Sequence, residues 1–130
     1  ENLNIDDKKK RLQDNRNQLH QSRSINFTRD EINNFVYKNI EQILSSTNII
    51  PYFENSKMIG IKINKLDKNN VLARYFGVQL NDIILSVNDK KIDNMEKALK
   101  IWENIKNENL IRINLLRDGS QLTYILNIRN

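Results

Sequence analysis

The twenty residues from 73 to 92, ARYFGVQLNDIILSVNDKKI, constrain the fold more than any other part of this 130-residue chain. An apolar helical end precedes Gly77, and glycine adopts without steric penalty the positive φ that often ends a helix. The run 83–87 then alternates, which predicts a strand with one buried face. Asn88 and Asp89 follow it and predict a tight turn. A helix end, a connector, a strand and a turn are therefore expected in close succession.

A helix is predicted upstream of this stretch. Thr28 and Glu31 have the spacing of a capping box, so the helix should begin at Thr28. Apolar residues recur every three or four positions as far as residue 45, which predicts one buried stripe. Pro51 and the segment before it are expected to end the helix.

Alternating and helical patterns account for the rest of the domain. Alternation predicts strands over 58–63, 110–116 and 122–128. A hairpin turn is predicted at 118–119 and an amphipathic helix over 95–106. The expected architecture is α+β, a small, partly open β-barrel or sandwich flanked by helices. Its predicted core is Ile61, Ile63, Leu72, Phe76, Ile83, Leu85, Val87, Leu99, Ile111, Ile113, Leu115 and Ile125.

The residues around Gly77 resemble the core of PDZ peptide-binding domains. The PDZ pattern has an apolar helix end, Gly, an apolar residue, two more residues, Gly-Asp, a strand and Asn-Gly. Asn81 and Asp89 stand where that pattern usually has glycine, and both residue types tolerate left-handed conformations. The resemblance implies a PDZ-like domain with an N-terminal helix over residues 25–130.

The flanking residues are similar to one PDZ family, the C-terminal domain of general secretion pathway protein C, an inner-membrane component of type II secretion. The shared features are a helix followed by Pro51, Lys57, a strand containing Gly60, the GVQLND run at 77–82 and the Arg-x-Gly hairpin at 117–119. This resemblance implies a periplasmic, non-catalytic protein-interaction module, attached to the inner membrane in the full-length protein.

The same resemblance implies protein partners: secreted cargo, the secretin or other secretion components. It implies no cofactor and no metal, and leaves homodimer formation open. The main alternative is a regulatory PDZ domain of a periplasmic serine protease, and the PDZ domain of an intramembrane metalloprotease is another. The gene upstream of Glu1 would distinguish these proteins by a membrane helix, a protease domain or a zinc motif.

PDZ domains add an extended peptide to a sheet edge beside a helix. The run MIGI at 58–61 matches the loop and strand that would receive the peptide. The opposing wall would be one face of the helix at 95–106, although simple burial of that face is the alternative. The predicted peptide-binding residues are Met58, Ile59, Gly60, Ile61, Ile63, Met95, Leu99 and Trp102.

Composition argues against several other functions. The net charge of +5 is spread along the chain rather than clustered, which argues against nucleic-acid binding. The chain has no cysteine, and its single histidine, His20, lies in residues 1–24, which are predicted to be a polar, disordered linker. No serine has a nearby base, so nucleophilic catalysis is not expected.

Overall fold

The computed structural model describes residues 21–130, which form a mixed α+β fold, as predicted. The elements, in chain order, are β1 (Gln21–Thr28), α1 (Arg29–Phe35), a 3-10 helix (Tyr37–Asn39), α2 (Ile40–Ser45), β2 (Thr47–Glu54), β3 (Lys57–Leu66), α3 (Val71–Tyr75), β4 (Ile83–Val87), β5 (Lys90–Lys91), α4 (Met95–Ile105), β6 (Leu110–Arg117) and β7 (Ser120–Arg129).

The strands form one seven-stranded sheet in the order β1–β7–β6–β4–β3–β2, with β5 paired to β4 off this path. Among the strands of residues 21–130, only β1 and β7 pair in parallel, and the other pairs are antiparallel. β1 and β2 lie at the two ends of the order, so the sheet is open.

Three of these strands, β1, β2 and the two-residue β5, are not among the predicted ones. The predicted linker over residues 1–24 is wrong in its last four residues, because β1 begins at Gln21 and pairs with β7 from Leu122 onward. Residues 1–20 of that prediction lie outside the described part of the chain. β2 contains Pro51, which was interpreted as a helix terminator but here occupies a sheet edge, a position that tolerates proline.

The helix predicted over 28–45 begins where expected but is interrupted after Phe35 by a 3-10 turn. The capping box between Thr28 and Glu31 is present. The helix ends at Phe35, since the Asn39 side chain donates to the carbonyl oxygens of Asn34, at 2.8 Å, and Phe35, at 3.3 Å. After the 3-10 turn, α2 buries Ile43 but leaves Leu44 exposed.

The predicted turn residues have the expected backbone conformations. Gly77 has φ +71° and Asn81 has φ +72°, so asparagine performs the role that glycine has in the PDZ pattern. Two-residue turns with positive φ lie at 88–89 and 118–119, and a third, unpredicted one lies at 55–56 between β2 and β3.

Most of the predicted core is buried or half-buried. Leu99 is the exception, because 61% of its surface is exposed. Ile125 is only half-buried, since the residues on either side of it in β7, Tyr124 and Leu126, are the buried ones. Phe27 of β1 stacks on Phe76 with 4.8 Å between ring centroids, which anchors the unpredicted first strand to the core.

Candidate functional site

β3, the strand predicted to be the peptide-binding edge, lies inside the sheet. β3 pairs with β2 on one side and β4 on the other, so Ile61 lies opposite both Pro51 and Ile84. Ile61 and Ile63 are buried in the core. The expectation that residues 59–63 offer a free edge is therefore wrong, because the unpredicted β2 covers that edge.

Gly60 has a packing role in β3. A Cβ atom on Gly60 would lie 2.3 Å from the backbone oxygen of Ile84 in β4, closer than real contacts allow. Met58 and Ile59 lie within the same strand, and Met58 packs half-buried against the core. Glycine is needed here because two backbones approach closely.

The face of α4 that is predicted to line the peptide groove is mainly exposed to solvent. Met95, Leu99 and Trp102 are all exposed, Leu99 most of all. The face of α4 that packs against the core consists of Ala98, Ile101 and Ile105. Of the eight predicted site residues, only Ile63 and Trp102 line a common cavity.

The free edge nearest to the predicted site belongs to β2. Three of its large apolar side chains are exposed: Ile49, Ile50 and Phe53, the last with 56% of its surface accessible. Natural edge strands usually carry charges that prevent pairing with other chains. In β2 the only charged residue is Glu54 at the end. Pro51 and two irregularities in the pairing with β3 are its other protective features. The opposite edge strand, β1, is largely polar.

A buried asparagine fixes the start of β2. The Asn70 side chain donates to the Ser46 and Thr47 hydroxyl oxygens, both at 2.6 Å, and accepts from the Leu72 amide at 2.7 Å. Asn70 therefore caps α3 and also holds the junction of α2 and β2. On the strand itself, Asn48 donates to the Asn64 side-chain oxygen at 2.6 Å. The edge strand is thus positioned by side chains as well as by its ladder with β3.

An apolar cavity of about 220 Å³ lies between α4, the sheet and the first helical segment, which is residues 29–39. Its walls include residues of β3, β4, β6 and β7, and none of β1, β2 or β5. The lining residues are Ile32, Val36, Tyr37, Ile63, Leu72, Phe76, Val78, Asp82, Ile84, Val87, Ala98, Ile101, Trp102, Ile105, Ile111, Ile113, Leu115, Tyr124, Leu126 and Ile128.

The polar groups near this cavity serve the structure. Hydrogen bonding to Asp82 raises the pKa of Arg117 above its ordinary value, although burial partly opposes that shift. Burial raises the pKa of Tyr37, and the positive charge of Arg29 partly offsets it. Among residues 21–130, no cluster of three or more His, Cys, Asp or Glu could hold a metal ion. In the same part of the chain, no helix has both the length and the apolar character to cross a bilayer.

No protein-family model and no curated protein matches the sequence. Solved structures of PDZ domains are similar to it, two of them from type II secretion proteins and their relatives. The PDZ domain of EpsC from Vibrio cholerae (residues 204–305) is 17% identical, covers 75% of this chain and 92% of its own, and has a TM-score of 0.54. The PDZ domain of the pullulanase C protein of the type II secretion system from Klebsiella pneumoniae, solved in complex with fatty acid, is 24% identical, covers 67% and 89%, and has a TM-score of 0.49. The likeness to the EpsC domain, across most of both chains, shows that this chain has the PDZ fold.

Proposed function

We propose that this domain is a non-catalytic protein-interaction module of a type II secretion apparatus. In this proposal it lies in the periplasm, and the full-length protein is attached to the inner membrane. Its partners are extended segments of secreted cargo, the secretin or other secretion components. The PDZ fold and the sequence resemblance to general secretion pathway protein C support this proposal.

The observation that carries the proposal is the exposed apolar edge of β2. An edge strand leaves one row of backbone N–H and C=O groups without a partner in the sheet, and an incoming strand can pair with them. Ile49, Ile50 and Phe53 are all exposed along β2. A partner strand would therefore gain backbone hydrogen bonds and apolar contacts together.

The exposed face of α4 remains a proposed second contact for the partner's side chains. Met95 and Leu99 share that face with Trp102, and none of the three is buried. Strand addition covers a small surface and must order the incoming segment, so we expect micromolar or weaker affinity.

The test is cargo secretion in a strain that carries the whole gene. Phe53→Lys places a charge on the β2 edge and should reduce secretion, and Met95→Lys tests the α4 face in the same way. Leu44→Lys is the control, because Leu44 is also a large, exposed apolar residue but lies in α2. All three variants should fold as judged by circular dichroism.

A photocrosslinking residue at position 53 should capture a secretion partner in the same strain. Normal secretion by Phe53→Lys, with no crosslinked partner, would contradict strand addition at β2. Crosslinks only between two copies of the chain would favour a homodimer through this edge.

A regulatory PDZ domain of a periplasmic serine protease remains the alternative, and a protease domain encoded upstream of Glu1 would establish it.

A further inference from the structure

The apolar cavity has no part in strand addition at β2. None of its lining residues belongs to β2, so a partner strand on that edge would not fill it. Protein interiors are close-packed and seldom contain a void much larger than a water molecule. A cavity of about 220 Å³ is therefore unusual in a domain this small, and it favours a ligand-binding role.

The lining residues spread over four neighbouring strands, β7, β6, β4 and β3. Ile111, Ile113 and Leu115 line the cavity from alternate positions of β6, and Tyr124 and Ile128 lie at the two ends of the stretch of β7 that lines it. Each of these stretches advances the chain by about 13 Å. A volume of about 220 Å³ has room for one hydrocarbon chain.

The walls also select an apolar occupant. Most are aliphatic side chains, and the polar atoms of the main exceptions are already in use. Asp82 accepts two hydrogen bonds from Arg117, and the Tyr124 hydroxyl donates to the Gly77 carbonyl oxygen at 3.2 Å. Within residues 21–130, no buried side-chain nitrogen or oxygen lacks a hydrogen-bond partner. The buried polar atoms around the cavity are therefore already paired, which favours an apolar ligand.

Trp102 marks where the cavity meets solvent. It lines the cavity and yet keeps 40% of its surface exposed. Val36 and Tyr37, both half-buried, line the cavity from the first helical segment. A chain that enters between this segment and α4 would place its apolar end inside and its polar end in water.

We infer that this cavity binds the aliphatic chain of a small amphiphile. A cavity of about 150 Å³ accommodates the six carbons of benzene, so this larger one should take about nine carbons. The inference does not depend on strand addition at β2, because the residues that carry it lie outside that strand.

The first experiment is a titration of the full chain with 1-alkanols of increasing length. Trp102 is the only tryptophan in the chain, so its fluorescence reports directly on occupancy. Affinity should rise roughly four-fold with each added methylene and level off near nine carbons, since further methylenes stay in water. A rise without a plateau, or fluorescence that no alcohol changes, would overturn the inference.

The second experiment compares two adjacent positions on α4. Ala98 lines the cavity, so Ala98→Phe should fill it and weaken 1-nonanol binding at least ten-fold. Leu99 faces solvent, so Leu99→Phe should bind like the wild type. If Ala98→Phe does not fold, Val36→Leu replaces it and should shift the plateau to a shorter alcohol. Unchanged binding in the folded cavity variants would contradict the inference.

Discussion

The guanidinium of Arg117 donates two hydrogen bonds to the carboxylate of Asp82, from Nε to Oδ1 at 2.9 Å and from Nη2 to Oδ2 at 2.8 Å. Asp82 is 1% exposed and also accepts from the Gln79 amide at 2.9 Å. Arg117 donates further to the Gly77 carbonyl oxygen at 3.0 Å. This pair joins the turn before β4 to the end of β6, across 35 residues of sequence.

Asp82→Asn should destabilise the domain by about 3–5 kcal/mol, because it leaves the partly buried Arg117 charge without its counterion. Asp89→Asn is the control, since Asp89 pairs with Arg112 at 2.9 Å but its side chain is largely exposed. That change should cost less than about 1 kcal/mol. Urea denaturation measures both, and equal losses would show that burial does not strengthen the Asp82 pair.

Gly77→Val should destabilise more than Gly119→Val. Both glycines have positive φ, +71° and +80°, so each substitution carries a backbone cost of about 1–2 kcal/mol. Only at Gly77 would the new Cβ meet another atom, the Tyr124 hydroxyl oxygen at 2.9 Å. The difference between the two free energies of unfolding should be about 1–3 kcal/mol. Wild-type stability in Gly77→Val would refute the assigned helix terminus.

Gly60→Ala should loosen the sheet between β3 and β4. The added methyl would lie 2.3 Å from the Ile84 backbone oxygen, and a backbone atom cannot rotate away as a side chain can. We expect a loss of about 1–3 kcal/mol, together with faster hydrogen exchange at the amides of both strands. Unchanged exchange there would mean that Gly60 does not set the strand spacing.

Two truncations separate the predicted linker from β1. Deletion of residues 1–20 should leave Tm unchanged, because their polar sequence offers no face to bury. Deletion of residues 1–24 also removes half of β1 and its pairing from Leu122 to Ile125. The lost backbone hydrogen bonds should cost about 1–3 kcal/mol, which lowers Tm by several degrees. Equal Tm values for the two truncations would show that the start of β1 adds no stability.

Alanine substitutions on α4 test which face is buried. Leu99→Ala should change stability by less than about 0.5 kcal/mol, because Leu99 is mostly in solvent. Ile101→Ala should cost about 1–3 kcal/mol, since Ile101 packs against the core. Alanine is the best helix former, so propensity does not cause either loss. A larger loss at Leu99 would reverse the assignment of the faces.

Features that depend on a few neighbouring residues could be predicted from sequence. The capping box at Thr28 and Glu31 and the positive φ of Gly77 and Asn81 are present as expected. Each reflects a local preference, either a side chain that bonds to a nearby amide or a residue type that tolerates a rare conformation. The PDZ fold followed because several such features occur at the right spacing.

The tertiary structure alone decided which strand is the edge and which face of α4 is buried. Met95, Leu99 and Trp102 have one helical spacing, and Ala98, Ile101 and Ile105 have another that is equally regular, so periodicity could not choose between the two faces. β3 is predicted to be an edge strand, but β2 pairs with it and makes it internal. Both outcomes depend on contacts between distant parts of the chain, whereas a sequence pattern records only the preferences of near neighbours.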